Sequence, residues 1–318
     1  TYGNSINVTT GEGSIEACNA AGCLILNSGE SAYVPDNNTR PAMTDKKTDI
    51  PPPPADGPIP TIIAGNNTNS DGSPSSLLLG LTSGPGYSFA VSGQGPSSGI
   101  TNIYDGVEGA VETYASFSGG GLSSFSAYSG SIVFTQGAPV GMLTDGIIGW
   151  GRWIDSTFND SGEVYNLQHV HYVVGMPTPA ADMAALGGMV GTYSLLGYTF
   201  PTATLDGVNF TLGTQPISGS LTANFWGDSV AGSLSVPMGA NTYASSWNGS
   251  IFGSSFSGSG SVSSSGSDCG GSGCSSSISG FFAGANAARA GLAYDFSGTD
   301  YGTIRGAAAF KQTGLAPY

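Results

Sequence analysis

From residue 217 to 311 the chain is a succession of short segments in which apolar and polar positions alternate, divided by Gly, Ser and Asn. In 217–227 (ISGSLTANFWG), Leu221, Ala223 and Phe225 fall on one side, with Thr222 and Asn224 on the other. In 241–251 (NTYASSWNGSI), Tyr243, Ser245, Trp247, Gly249 and Ile251 share a face. In 301–311 (YGTIRGAAAFK), Ile304, Gly306, Ala308 and Phe310 do so, opposite Arg305 and Lys311. Side chains alternate across a strand with period two, so each segment can bury one face and wet the other. Repeated at short spacing, with no helix-length segment between, the pattern predicts an all-β chain. Its C-terminal end, 147–318, is expected to be an antiparallel β-barrel of about eight strands.

Composition narrows the function classes. Only 9% of residues are charged, yet 39% are hydrophobic, enough to build a core and unlike a disordered chain. The net charge of −14 sets the chain against the phosphate backbone, so no nucleic-acid partner is expected. Apolar runs such as 76–81 are too short to cross a bilayer as a helix. The alternate strand positions are mostly Ser, Gly and Thr rather than the apolar band of a membrane barrel, so no membrane span is expected.

Four cysteines form two close pairs, Cys18 and Cys23 in CNAAGC and Cys269 and Cys274 in CGGSGC. Each pair brackets a turn-like insert, which suits a hairpin-tip disulfide in an oxidising compartment. A four-Cys zinc site needs tighter spacing within each pair, so neither metal nor cofactor is expected.

Residues 1–35 alternate weakly through Ile6, Val8, Ile15, Leu24, Leu26 and Tyr33, which marks a strand-forming arm. Residues 36–60 read as a stiff linker carrying the run Pro51 to Pro54. A strand-forming arm on a stiff spacer is equipped to add a strand to a neighbouring copy; the alternative is that it folds back on its own chain. Residues 61–146 are expected to form a β-rich domain or handle. Within them Asn67, Asn69, Asp71 and Gly72 mimic the start of a calcium loop but lack its closing Glu, and read as a turn. Glu108 and Glu112 read as solvated strand-edge charges. Thr1 is expected to arise by processing or to begin a fragment. As an amino-terminal nucleophile it lacks a supporting Lys or acidic cluster nearby in sequence.

The candidate ligand residues lie in 147–175. Trp150, Arg152 and Trp153 could form a cation–π cluster. His169 and His171, the only histidines, are two apart on an expected strand. That spacing sends both imidazoles to one face, as a metal or haem iron would require, or as paired polar positions on a barrel wall would. Residues 178–187 (TPAADMAALG) predict a short helix at a barrel mouth, with Thr178 as N-cap and Gly187 at the stop.

Two resemblances add to this. The stretch INVTTGEGSIEACNAAGCLILNSGESAYV resembles the end of the periplasmic domain of FecR-like iron-responsive regulators. Gly280-Phe281-Phe282-Ala283-Gly284, Ala287, Gly291-Leu292-Ala293-Tyr294 and Gly306-Ala307-Ala308-Ala309-Phe310 resemble the closing barrel strands of transferrin-binding protein B, related surface lipoproteins and hemophilins. The second resemblance implies a bacterial surface protein that binds a partner through loops and a handle domain.

The residues themselves point first to a non-enzymatic structural protein, secreted or on a bacterial cell surface, that assembles with copies of itself through the arm. The alternative is a surface module that binds another protein or ligand in iron or haem acquisition. A hydrolase is disfavoured: the sequence shows neither a phosphate-cradling loop with Lys nor a compact acid–base set.

Overall fold

The computed structural model describes the backbone of five strands within the first 57 residues, together with residues 81–94, 99–104, 113–118, 121–207, 209–266, 269 and 273–318. The chain divides into a compact unit Thr1–Gly57 and a larger unit Pro58–Tyr318.

In the smaller unit, β1 (Ile6–Thr9), β4 (Ser31–Val34) and β5 (Ala42–Met43) form one sheet, and β2 (Ser14–Asn19) and β3 (Gly22–Asn27) a hairpin. β5 falls inside the segment expected to be linker. The arm residues lie on these strands, which pair with one another within the unit: Ile6 is opposite Val34, Val8 opposite Ala32, and Ile15 opposite Leu26. Leu24 is opposite Ala17, Tyr33 is opposite Asn7, and Cys18 is opposite Cys23. Thr1, Pro51 to Pro54, the Asn67–Gly72 turn, Glu108 and Glu112 lie outside the described residues.

The larger unit begins with a ten-stranded antiparallel sheet curled into a half-barrel. Its strands are β6 (Gly84–Pro85), β7 (Ser88–Gln94), β8 (Gly99–Tyr104), β9 (Tyr114–Ser118), β10 (Gly121–Ala127), β11 (Ile132–Thr135), β12 (Ala138–Thr144), β13 (Ile148–Ile154), β14 (Ser156–Asp160) and β15 (Glu163–Gly175). β15 is its spine: the first half pairs with β14, and the second lies between β13 and β7. The concave side holds an aromatic core. Phe89 stacks on Phe125 at 4.5 Å between ring centroids, and Trp153 sits 4.7 Å from Tyr172. Trp153 also donates its indole N–H to the Leu122 carbonyl at 2.9 Å, so this buried ring leaves no polar atom unmet.

A short helix, α1 (Ala180–Ala185), leads into β16 (Met189–Tyr198) and a small ribbon, β17 (Thr202–Thr204) with β18 (Thr211–Leu212). β16 and the seven hairpin-linked strands β19 (Ser218–Asn224), β20 (Ser229–Met238), β21 (Asn241–Phe252), β22 (Ser255–Ser264), β23 (Cys274–Ala283), β24 (Arg289–Thr299) and β25 (Gly302–Pro317) make the closed eight-stranded barrel. It closes where β25 pairs with β16, from Met189 opposite Pro317 to Tyr198 opposite Ala308. The expected alternation holds on β21: Tyr243, Ser245, Trp247 and Ile251 are buried while Ala244, Ser246, Asn248 and Ser250 are exposed. The interior is mostly apolar and the solvent-facing positions of β20–β22 are mostly Ser, Gly and Asn, unlike the apolar outer band of a barrel in lipid. No helix among the described residues is long and apolar enough to cross a membrane.

Closure explains part of the glycine content. Trp247 stands opposite Gly232 on one neighbour strand and Gly260 on the other. A Cβ on Gly232 would lie 2.4 Å from the indole Cζ2, so the barrel accommodates its largest side chain by removing a facing one.

Two expectations change. β13 and β15, expected within the barrel, belong to the half-barrel sheet. Alternation reports which side of a strand is buried, and either sheet would satisfy it. The helix is also shorter than expected. Its N-cap is Pro179, with no side-chain cap, while Thr178 is buried and uses its backbone N–H on the Phe282 carbonyl at 2.9 Å. The helix does sit over the barrel end, where Met183 and Leu186 pack on the interior cluster.

Cys269 and Cys274 are disulfide-bonded in the β22–β23 connection. A loop this short constrains the unfolded chain little, so the double variant C269S/C274S should lose no more than about 2 kcal/mol in denaturant unfolding. A much larger loss would mean that the bridge secures more than its own loop.

Candidate binding surface

The outer face of the half-barrel packs on the outer face of β23, β24 and β25. Ala90, Ile148, Trp150 and Val173 meet Phe281, Ala283, Ala293, Ala307 and Ala309 in a fully buried cluster. Small residues let the sheets approach. A Cβ on Gly291 would be 2.4 Å from Val173 Cγ1, and one on Gly197 would be 2.1 Å from Trp150 Cζ2.

Polar groups cross the same junction. Asp295 on β24 accepts a hydrogen bond from Ser92 Oγ on β7 and pairs with Arg305 Nη2 at 3.1 Å. Arg305 also donates to Gln94 Oε1. Burial raises the Asp295 carboxyl above its ordinary value, opposed by Arg305 and by the hydroxyls around it. His171 bridges Thr199 and Thr202, with Nδ1 2.8 Å from one Oγ1 and Nε2 2.7 Å from the other. A neutral imidazole has one donor and one acceptor, and here both are occupied. Burial first, then Arg152, His169 and Arg305, holds His171 well below its ordinary pKa, so the ring is neutral.

The four sequence candidates are therefore divided. Trp150 faces the barrel and Trp153 the half-barrel core, since residues three apart on a strand point oppositely. β15 carries a bulge between Gln168 and His171, and His169 adopts φ 36°. Leu167, Val170, Tyr172 and Val174 keep to the core side, so the extra residue falls at 168–169. His169 lies edge-on to Phe210 at 4.5 Å, and burial, reinforced by Arg152, lowers it to about 4. Among the described residues no three His, Cys, Asp or Glu side chains gather as a metal site.

The exposed surface points elsewhere. Trp226 is 68% exposed in the β19–β20 turn, and Phe252 is 67% exposed at the end of β21. These turns are neighbours on one rim: the backbone N–H of Ile251 bonds the Asp228 carbonyl at 2.8 Å. Two strand spacings, roughly 10 Å, separate their centres. Leu315, also exposed, is on the β25 end at this rim, where Gly191 pairs with it. Neither aromatic serves the core, which Phe225 and Ile251 already fill from the adjacent positions. The signal was present in NFWGD: with Leu221, Ala223 and Phe225 inside, the next residue must face out.

Fold and surface together define an all-β protein, a half-barrel joined to a closed barrel, with apolar side chains displayed at one rim. Among solved structures it is similar to a double mutant of transferrin binding protein B from Haemophilus parasuis Hp5, at TM-score 0.39 and 13% identity over 72% of this chain and 45% of that one. It is also similar to the isotype 1 transferrin binding protein B of serogroup B Neisseria meningitidis, at TM-score 0.40 and 12% identity over 71% and 43%. A third is the N-lobe domain of lactoferrin binding protein B of Moraxella bovis, at TM-score 0.30 and 12% identity over 71% and 99%. The chain thus spans less than half the length of the two transferrin binding proteins. No family model and no curated protein matches the sequence.

Proposed function

We propose that the chain is a non-catalytic module of an extracellular or bacterial cell-surface protein, and that it binds a protein partner through the barrel rim carrying Trp226 and Phe252. The observation that carries this is the exposure of two large aromatics on adjoining turns of a barrel whose solvent-facing strands β20–β22 show mostly Ser, Gly and Asn. Large apolar side chains clustered in a polar surround mark interaction sites, and Trp is the residue most enriched among binding hot spots. Asp295, Arg305 and His171, by contrast, are engaged by protein partners at the junction.

Self-assembly through the arm is the weaker reading. A donated strand must first be unpaired, and β1, β4 and β5 pair with one another within the unit. Haem ligation by His171 would cost the hydroxyl bond at whichever nitrogen took the iron. The link to iron acquisition, which the closing-strand resemblance suggests, makes iron-carrying proteins the first partners to try.

Surface plasmon resonance over immobilised transferrin and lactoferrin tests this. Binding should weaken about 10-fold or more in Trp226→Ala and further in W226A/F252A, with thermal unfolding unchanged. Binding that survives the double variant would exclude the rim, and no binding to either protein would remove the iron-carrier assignment.

A further inference from the structure

Arg152 is 8% exposed, one of seven cations in a chain of net charge −14. Its Nη1 is buried with no hydrogen-bond partner, and among the described residues neither ion pair includes it. Buried guanidinium groups are ordinarily charge-paired, as Arg305 is with Asp295 even though its Nε is also unmet. A second unmet nitrogen is close by: His169 Nδ1 is also buried and unpartnered. Arg152 stands directly opposite His171 in the β13–β15 ladder, and His169 lies one bulge further along β15. Alternation puts Arg152 on the same side as Trp150, facing the barrel. There the β17–β18 ribbon approaches, through Thr202 on His171 and Phe210 on His169.

We propose that Arg152 and His169 form a site for a small oxyanion, a carboxylate or a phosphate, where the half-barrel sheet meets the β17–β18 ribbon. The guanidinium supplies the charge and a donor fork that matches two oxygens, and His169 supplies a further N–H in the tautomer protonated at Nδ1. A metal cation is excluded by Arg152 itself. Among the described residues no carboxylate is ion-paired with Arg152: Asp295 is held by Arg305 and Ser92, Asp145 by Arg289, and Asp155 acts on His169 only as a nearby charge. Low exposure restricts the ligand to a small one. His171 takes no part, since both of its nitrogens are occupied.

The test is thermal unfolding of the full chain with chloride as the only anion. Sodium phosphate or sodium acetate is then titrated in at constant ionic strength, set with sodium chloride. An oxyanion that fits should raise the midpoint by about 3–6 °C at ten times its dissociation constant, and the arm that reaches this rise at the lower concentration identifies the class. Arg152→Met should lose that rise completely, yet be no less stable than the unsubstituted chain in chloride alone, because it removes an unmatched buried cation. A rise that persists in R152M, or no rise with either oxyanion, overturns the site. Should R152M fold poorly, the His169 ring signals of the unsubstituted chain provide a second measurement. They should move with phosphate or acetate and stay fixed with chloride; signals that respond equally to all three would also overturn it.

Discussion

Arg305→Met is expected to lower the unfolding free energy by about 3–5 kcal/mol, the largest single-residue loss in the junction. Arg305 and Asp295 have side chains only 8% and 12% exposed, so the pair is desolvated on both sides. Removing the cation strands a carboxylate whose charged form burial already disfavours, with Ser92 as its remaining short contact. Gln94 loses its hydrogen bond from Arg305 as well, and with it goes one of the polar ties between β7 and β25. Guanidinium unfolding should show the loss, and R305M/D295L should recover most of it, since replacing a whole buried pair by apolar groups is close to neutral. Because the tie spans half-barrel and barrel, in R305M the two should begin to unfold in separate transitions. A single-variant loss below about 1 kcal/mol would show that the apolar cluster alone joins the sheets.

The second large effect is acid sensitivity. His171 is neutral in the fold and held well below the pKa it has when unfolded. The unfolded state therefore binds the proton first, and the stability from burying a neutral ring is fully present above about pH 6.5 and lost as pH falls below it. His169, lowered to about 4, acts with the same sign over the window from about 6.5 down to that value. Asp295 acts oppositely: its raised carboxyl takes up a proton more readily in the fold, which flattens the low end of the curve. The other charges facing His171 are Arg152 and Arg305, and each makes a second cation there less tolerable. Midpoints measured from pH 7 to pH 4 should fall steadily for the unsubstituted chain and less steeply for His171→Asn, which keeps a donor and an acceptor but gains no charge. Parallel curves would remove His171 as the source.

Some of this was written in residue order. The face shared by Tyr243, Ser245, Trp247, Gly249 and Ile251 follows from period two alone, and the Cys269–Cys274 bridge from its short insert. The outward position of Trp226 was equally legible, because the turn interrupts an inward series. The bulge at Gln168 and His169 was not, since one inserted residue changes no composition and no local propensity.

The sequence by itself determined that this is a chain of strands, which residues turn inward, and where the hairpins reverse. Only the tertiary structure decided what lies against the other side. Arg305, Ala307 and Ala309 alternate with barrel-interior residues and would read as a wet face, yet they are buried beneath β7, β13 and β15. The reason is physical: alternation is a property of one strand's pleat, whereas the body that covers a face is brought there by contacts between segments up to about 200 residues apart, such as Ser92 with Asp295.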